Sequence, residues 1–235
     1  MIIKGEFPFL QEKPHRIALV GAGGKTTLMY ALAAAYAKRG CRTIVTTTTH
    51  ILRPLDTVWA CDREKVRRLW TESSYAVVGK DAGDGKLAAL PEGEMRDCLL
   101  SADVVLYEAD GAKRMPCKVP ASHEPVIPAE CDLVIGVMGM DALDRPLEEI
   151  CFRKEEAIRF LKVSSGGRMT AEMMAAILSS EEGTRKGVGE RSYYVVLNKC
   201  DTEERIRQAD KVQCLLRERG IDHCVLTSFL QNEGI

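Results

Sequence analysis

The sequence has little of several features that would place it in a special class of protein. Aromatic residues make up only 6% of the chain, and 33 Lys and Arg balance 34 Asp and Glu to a net charge of -1. A chain without an excess of positive charge does not attract polyanions, so neither nucleic acid nor an anionic membrane is expected as a partner. The longest stretch without a charged side chain, residues 26–37, has twelve residues. A membrane-spanning helix needs about 20.

The cysteines lack the spacing of a metal site or of a disulfide framework. No two of the nine form a C-x-x-C pair, and they are scattered over positions 41, 61, 98, 117, 131, 151, 200, 214 and 224. An odd, scattered set within mostly apolar segments is typical of reduced cytosolic thiols. The first dozen residues contain two acids and no long apolar stretch, which predicts no signal peptide. We therefore expect a cytoplasmic protein.

Short apolar runs alternate with helical patterns along most of the 235 residues. Strands are predicted at 17–20, 43–46, 76–78, 104–107, 133–137, 194–197 and 224–226. Helices are predicted at 26–39, 63–70, 154–161, 171–178 and 203–219. Most of the strands are aliphatic on both faces, as in a parallel sheet that helices cover on both sides. The pattern predicts one doubly wound α/β domain over residues 1–235 with a mostly parallel sheet, and a helical insertion at about 139–190.

A glycine-rich loop with the sequence GAGGKTT follows the first predicted strand and precedes an alanine-rich helix. Glycine lets backbone N–H groups approach phosphate oxygens, and a helix N-terminus adds aligned donors. Lys25 supplies an ammonium group for the β- and γ-phosphates and Thr26 a hydroxyl for Mg²⁺. We predict a fold of the P-loop NTPase type in which a nucleoside triphosphate is bound by Gly21, Ala22, Gly23, Gly24, Lys25, Thr26 and Thr27. The alternative is a glycine-rich turn with a surface lysine.

The loop departs from the usual phosphate-binding pattern in length. That pattern has a glycine six residues before the lysine, where this chain has Leu19, and the loop begins instead at Gly21. The shorter form resembles the loop of the Mur ligase family, which binds ATP. This departure leaves open which subclass of phosphate-loop protein the chain belongs to, but it does not change the predicted phosphate site.

Two acidic residues follow the predicted strand 104–107. Glu108 and Asp110 are two apart in extended chain and project to the same side. Ligands of a doubly wound sheet lie beyond the carboxyl ends of its strands, so these carboxylates are predicted to hold Mg²⁺ or to orient the attacking water. The sequence does not decide which residue has which role. A surface Asp-Gly turn is the alternative.

Other polar residues near predicted strand ends are candidates for the same site. Four threonines, 46–49, and His50 follow one strand and could orient Mg²⁺ or water, or serve only strand propensity. Lys113, Arg114 and Lys118 could neutralise phosphate or bind an anionic substrate. His123 and Glu124 could bind a metal or form a solvated salt pair.

A four-residue motif, Asn198-Lys199-Cys200-Asp201, follows the strand 194–197. It matches N-K-x-D, the guanine-reading motif of GTPases, in which the Asp accepts from guanine N1–H and the 2-amino group while Asn and the Lys stem frame the ring. Thr227 and Ser228 then stand where the last base-contacting loop of a GTPase would be. An Asn/Asp helix cap is the alternative.

Four stretches of the sequence, taken in order, resemble the selenium-dependent hydroxylase accessory proteins, a YqeC-like family of phosphate-loop NTP-binding proteins. These stretches are GAGGKTT, TTTTHI, EADGAKRMPCKVP with HEPVIP, and NKCD. The resemblance implies a protein that helps to mature selenium-dependent molybdenum hydroxylases, whose selenium is labile and attached at the molybdenum cofactor. Such a hydroxylase or its cofactor-synthesis proteins are the implied partners. Cys117 lies within the most specific block and could carry a sulfur or selenium adduct or be an inert buried thiol.

Three functions agree with these observations. The first is an Mg²⁺-dependent nucleoside triphosphatase in which Thr26 with Glu108 or Asp110 holds the metal; the short loop favours ATP, and NKCD favours GTP slightly more. The second is a nucleotide-gated carrier or chaperone in which binding rather than turnover matters. The third is a kinase or ligase for a small acidic substrate, with Arg114, Lys118 and Arg153 as its anion site.

Overall fold

A computed structural model describes residues 2–11, 15–52, 58–72, 75–164 and 166–229. Its strands are β1 (Ile2–Lys4), β2 (His15–Gly21), β3 (Thr43–Thr47), β4 (His50–Leu52), β5 (Trp59–Ala60), β6 (Ala76–Val78), β7 (Lys80–Asp81), β8 (Lys86–Ala88), β9 (Val104–Glu108), β10 (Cys117–Lys118), β11 (Leu133–Gly139), β12 (Cys151–Phe152), β13 (Ser192–Asn198) and β14 (Cys224–Thr227). Its α-helices are α1 (Lys25–Ala37), α2 (Arg63–Glu72), α3 (Glu92–Leu99), α4 (Leu147–Ile150), α5 (Lys154–Leu161), α6 (Ala171–Ser179) and α7 (Glu203–Glu218).

Nine strands form one sheet in the order β1-β14-β13-β11-β2-β9-β3-β6-β5. Every neighbouring pair is parallel except β1 with β14. Two small sheets stand apart from it: β4-β8-β7, which is antiparallel, and β10-β12, which is parallel. The predicted doubly wound α/β fold with a mostly parallel sheet is confirmed.

Side chains of successive residues on the central strands enter different apolar layers, as the two-residue period of a strand requires. Ile17 and Leu19 of β2 pack in a cluster with the buried face of α1, whereas Ala18 and Val20 pack in a cluster with α2 and α3. A third cluster joins α6 and α7 to alternate residues of β13. Both faces of the sheet are therefore covered, which explains the aliphatic runs in the sequence.

All seven predicted strands and all five predicted helices are present, with ends that differ by at most two residues. The sequence patterns missed α3, α4 and the shortest strands, among them the edge strands β1 and β5. Between β11 and β13 the described residues form three α-helices, a 3₁₀ helix (Met140–Ala142) and the two-residue strand β12. Among the described residues no helix has the length and apolar character needed to cross a bilayer.

The position of β2 determines where the polar residues meet. It lies between β9 and β11, and all three strands run in the same direction. The glycine loop leaves the carboxyl end of β2, Glu108 ends β9, and Asn198 ends β13, one strand beyond β11. Carboxyl ends of parallel strands lie at one edge of a sheet, so the motifs of these three distant segments are brought together there.

Candidate functional site

The glycine loop has a backbone that only glycine adopts without strain. Gly21, Gly23 and Gly24 have φ values of 92°, 78° and 116°. A Cβ at Gly21 would overlap the Val137 carbonyl oxygen, and one at Gly23 would overlap the backbone of Gly139. Positive φ and contact with β11 therefore both require these glycines, independently of any ligand.

The backbone N–H groups of the loop fall into two sets. Those of Gly21, Ala22 and Gly23 donate to Asp110 Oδ2, the Val137 carbonyl and the Met115 carbonyl at 3.1, 2.8 and 3.0 Å. Those of residues 24–27 have no hydrogen-bond acceptor among the described residues. Four unsatisfied N–H groups at a helix N-terminus are a site for an anion. Within the predicted loop 21–27, the backbone groups available to an anion are therefore those of residues 24–27.

The ammonium of Lys25 is turned back into the protein. Its side chain is only 4% exposed, and Nζ donates to the Gly21 carbonyl at 2.6 Å and lies 3.0 Å from Asp110 Oδ1. Gly21 is also the residue whose N–H donates to Asp110. The lysine, the carboxylate and the loop therefore form one closed hydrogen-bonded unit.

Thr26 and Glu108 form a second pair beside it. Thr26 Oγ1 donates to Glu108 Oε2 at 2.7 Å. Burial, the largest effect, raises the pKa of Glu108 above its ordinary value, although Lys25 and the Thr26 hydroxyl favour the ionised form. Hard oxygen ligands of this kind suit Mg²⁺. Of the two carboxylates that the sequence left without assigned roles, Glu108 adjoins the predicted metal-binding hydroxyl and Asp110 adjoins the lysine.

A chain of buried ion pairs extends from Asp110 away from the loop. Lys118 Nζ lies 3.2 Å from Asp110 Oδ2 and 3.0 Å from Glu124 Oε2, and it donates to the Gly111 carbonyl at 2.6 Å. Arg153 Nε donates to Glu124 at 2.8 Å. Burial by itself raises the pKa of Glu124, but the hydrogen bonds from Arg153 and Lys118 outweigh it and lower that pKa to about 2.

This chain of ion pairs limits two expectations from the sequence. Lys118 is fully buried and Nε of the partly exposed Arg153 is bonded to Glu124, so both cations of the predicted anion site are already paired with a protein carboxylate. His123 is exposed, whereas Glu124 faces inward. Within the described ranges no three His, Cys, Asp or Glu side chains are grouped as metal ligands.

The threonines after β3 mostly bond to neighbouring backbone. The hydroxyls of Thr46, Thr47 and Thr48 donate to the carbonyls of Val78, Glu108 and Val126. Thr49 Oγ1 lies 3.5 Å from Thr47 Oγ1, and no backbone carbonyl among the described residues accepts from it. Three of the four candidate hydroxyls thus donate to backbone carbonyls, and Thr49 differs from them in lacking such a bond among the described residues.

Asn198 connects the base motif to the glycine loop. Its Nδ2 donates to the Gly23 carbonyl at 2.8 Å, and its Oδ1 accepts from Thr227 Oγ1 at 2.9 Å. Asp201 accepts from Ser228 Oγ at 2.6 Å and from Arg205 at 3.1 Å. The structure therefore brings together NKCD, the Thr227-Ser228 turn and the glycine loop.

Two contacts in this region were not anticipated from the sequence. Lys199 Nζ donates to Asp141 Oδ2 at 2.6 Å, and Arg205 pairs with Asp201 one helical turn away. Asp141 follows the apolar strand β11 closely, so the rule that singled out Glu108 applies to it as well. Cys200, the variable position of the motif, is buried.

Comparison with known proteins gives similarities in both structure and sequence. The crystal structure of HypB from Helicobacter pylori in complex with nickel matches with a TM-score of 0.41 and 13% identity over 94% of this chain and 81% of that chain; similarity at that level supports no functional inference. YqeC of Escherichia coli (strain K12) is 31% identical over 216 residues, which are 87% of this chain and 84% of that protein. A family model described as YqeC protein matches residues 17–155. The family resemblance seen in the motifs is therefore confirmed, and the chain belongs to the YqeC family.

Proposed function

We propose that this protein binds a nucleoside triphosphate with Mg²⁺ at the glycine loop and hydrolyses it, with GTP preferred to ATP. The observation that carries the proposal is the set of unsatisfied N–H groups at residues 24–27, beside Lys25 and the Thr26–Glu108 pair. These groups supply aligned donors, a cation and a metal-binding pair within one turn of helix. The triphosphate is expected to take the place of Gly21 and Asp110 as the partner of Lys25.

Thr26 and Glu108 would hold Mg²⁺, which when bound neutralises charge on the phosphate oxygens. Asp110 would act on the metal only indirectly, because both of its oxygens face cations or an amide of the protein. Its proposed role is to hold the Lys25 ammonium before nucleotide binds, and to hold the Lys118 ammonium both before and after nucleotide binds. Ala22 and Thr27 contribute backbone to the loop.

The preference for guanine rests on Asp201. Its carboxylate lies after β13, where one oxygen accepts from Ser228 and the other from Arg205. A carboxylate has about four acceptor sites, so two remain for N1–H and the 2-amino group of guanine. Adenine does not present those donors in that arrangement. The stem of Lys199 would cover the ring while its ammonium stays with Asp141.

The biological role proposed is assistance in the maturation of selenium-dependent molybdenum hydroxylases. Its support is membership of the YqeC family together with the motifs that resemble these accessory proteins. A hydroxylase or one of its cofactor-synthesis proteins would be the partner. Co-purification from cells that make such hydroxylases, with identification of the attached nucleotide and protein, tests this role.

One observation favours a second candidate, a nucleotide-gated carrier. Because Lys25 Nζ is paired with the Gly21 carbonyl and with Asp110, the lysine has to leave these partners before it can pair with phosphate. Such a conformational step suits a protein that is controlled by nucleotide binding. Phosphate release measured with and without the partner separates the two functions. Turnover that remains negligible without the partner favours the carrier.

Calorimetric titration with GTP and ATP, with and without Mg²⁺, tests nucleotide binding. Lys25→Ala should weaken binding of both nucleotides at least tenfold, because hydrogen bonds to a charged group contribute about 1.5–3 kcal/mol each. Lys38→Ala is the matched control, since Lys38 is exposed at the other end of α1. Normal binding by a folded Lys25→Ala protein would contradict the phosphate-loop assignment.

The same titration tests the base preference. Asp201→Asn should weaken GTP about tenfold and leave ATP nearly unchanged, whereas Asp222→Asn, at an exposed position after α7, should alter neither. Equal affinities of the unaltered protein for GTP and ATP would remove the base-reading role from Asp201 without affecting the phosphate site.

A further inference from the structure

Two buried cysteines face each other in the small sheet β10-β12. Cys117 and Cys151 are register partners in this parallel pair, and their exposures are 0% and 3%. Both are free thiols. Neighbouring strands lie about 4.8 Å apart, a spacing within the range of roughly 4.4–6.8 Å between the Cα atoms of disulfide-bonded cysteines.

The two side chains share one apolar environment. Cys117 and Cys151 belong to the same buried cluster, which also contains residues of α4 and α6. The neighbouring Cys151 side chain and burial both raise the pKa of Cys117 well above its ordinary value. A thiol in such an environment is unreactive by itself, but its register partner is a second cysteine.

The pair lies between segments that contact the candidate site. Cys117 precedes Lys118, and Cys151 stands two residues before Arg153; these two cations share the carboxylate of Glu124. The segment before Cys117 contains Met115, whose carbonyl accepts from the Gly23 N–H. A covalent link here would tie both segments together beside the glycine loop.

We propose that Cys117 and Cys151 form an intramolecular disulfide when the protein meets a low-molecular-weight disulfide as oxidant. With oxidised glutathione, the two protein sulfurs are oxidised and joined, the glutathione disulfide is reduced, and the two thiol protons appear on two glutathione thiols. One cysteine first forms a mixed disulfide, and the facing cysteine then displaces glutathione from it. The reaction requires brief opening of a ladder only two residues long.

The other seven cysteines have no cysteine as register partner in the described strands. Cys61 and Cys214 are exposed and should take up glutathione singly and faster. The disulfide between 117 and 151 is thus expected as a slow product with a specific pairing. The proposal does not depend on nucleotide binding.

Peptide mapping of the full-length protein tests the pairing. The native protein is incubated with oxidised glutathione, its remaining thiols are alkylated in denaturant, and the digest is analysed by mass spectrometry. A linked pair of peptides containing residues 117 and 151, lighter than the separate peptides by two hydrogen atoms, is expected. Cys131→Ser, at a buried site in another segment, should retain that link, and Cys151→Ser should lose it.

Recovery of residues 117 and 151 as alkylated thiols, under conditions in which Cys61 carries glutathione, would overturn the proposal. Recovery of both as separate glutathione adducts would overturn it equally. The mapping uses the unaltered protein, so it decides the question even if a serine variant fails to fold.

Discussion

At the scale of the residue, burial separates the polar groups that support the site from those that can contact a ligand. Lys118 and Glu124 are buried and pair with other protein groups: Lys118 with Asp110 and Glu124, and Glu124 also with Arg153. Removing one member of a buried ion pair leaves the other uncompensated, which usually costs about 3–5 kcal/mol. These residues are therefore expected to support the site, and the groups at residues 24–27 to meet the ligand.

The pH dependence of stability should reveal Glu124. Its pKa is about 2 in the folded protein and 4.5 as the ordinary value, so its ionised form stabilises the fold above about pH 4.5, and this contribution is lost as pH falls toward 2. Glu124→Gln should lower the urea midpoint at pH 7. The difference from the unaltered protein should shrink between pH 4.5 and 2.

Glu155→Gln provides the control for this measurement, because Glu155 is exposed in the first turn of α5. Its unfolding curve should follow that of the unaltered protein at every pH. A difference between Glu124→Gln and the unaltered protein that stays constant from pH 7 to pH 2 would show that ionisation of Glu124 does not support the fold.

Sequence reasoning located the groups of the site but not their pairing. Thr26 was predicted to hold the metal together with either Glu108 or Asp110, because each of these residues stands after a strand or loop with a recognisable pattern. Lys25 pairs with Asp110, and Lys118 pairs with Asp110 and Glu124. These pairings depend on rotamers and burial, which no local sequence pattern encodes. The same holds for the threonine hydroxyls, since only the neighbouring strands reveal the carbonyls to which Thr46, Thr47 and Thr48 donate.

At the scale of the element, the loop between β2 and α1 is constrained by both conformation and space. Gly23 and Gly40 have nearly the same φ, 78° and 76°, but a Cβ at Gly23 would overlap Gly139, whereas one at Gly40 would meet nothing within 4 Å. The two positions therefore separate the cost of positive φ from the cost of a close backbone contact.

Alanine substitution at the two glycines should give different losses of stability. Gly40→Ala should cost about 1–2 kcal/mol, the penalty of the left-handed conformation. Gly23→Ala should cost clearly more, because β11 has to move as well. Chemical denaturation of both variants checks this, and equal losses would mean that the loop and β11 separate easily.

The sequence predicted the interior elements better than the edges. Strands such as β9 and β11 are apolar on both faces, so composition alone identifies them. The edge strand β5 has two residues, and β7 consists of exposed Lys80 and Asp81. Hydrophobic periodicity cannot identify so short or so polar a strand, whose pairing is set by the neighbouring segments.

At the scale of the whole molecule, a ligand that binds only the folded chain should raise its melting temperature. At about 100 times Kd the stabilisation is about 2.7 kcal/mol, which corresponds to roughly 5–10 °C for a domain of this size. GTP with Mg²⁺ should produce this shift in the unaltered protein and in Lys38→Ala. Lys25→Ala, which should bind at least tenfold more weakly, should show about half of this shift or less at the same concentrations, and an undiminished shift there would place the nucleotide elsewhere.

Asn198 has a consequence for any attempt to redesign the specificity of this protein. Its amide group joins the Gly23 carbonyl of the glycine loop to Thr227 at the end of the neighbouring strand β14. A change at Asn198 should therefore weaken the binding of every nucleotide alike. Exchange of one purine for another should instead begin at Asp201, with Asn198 left unchanged.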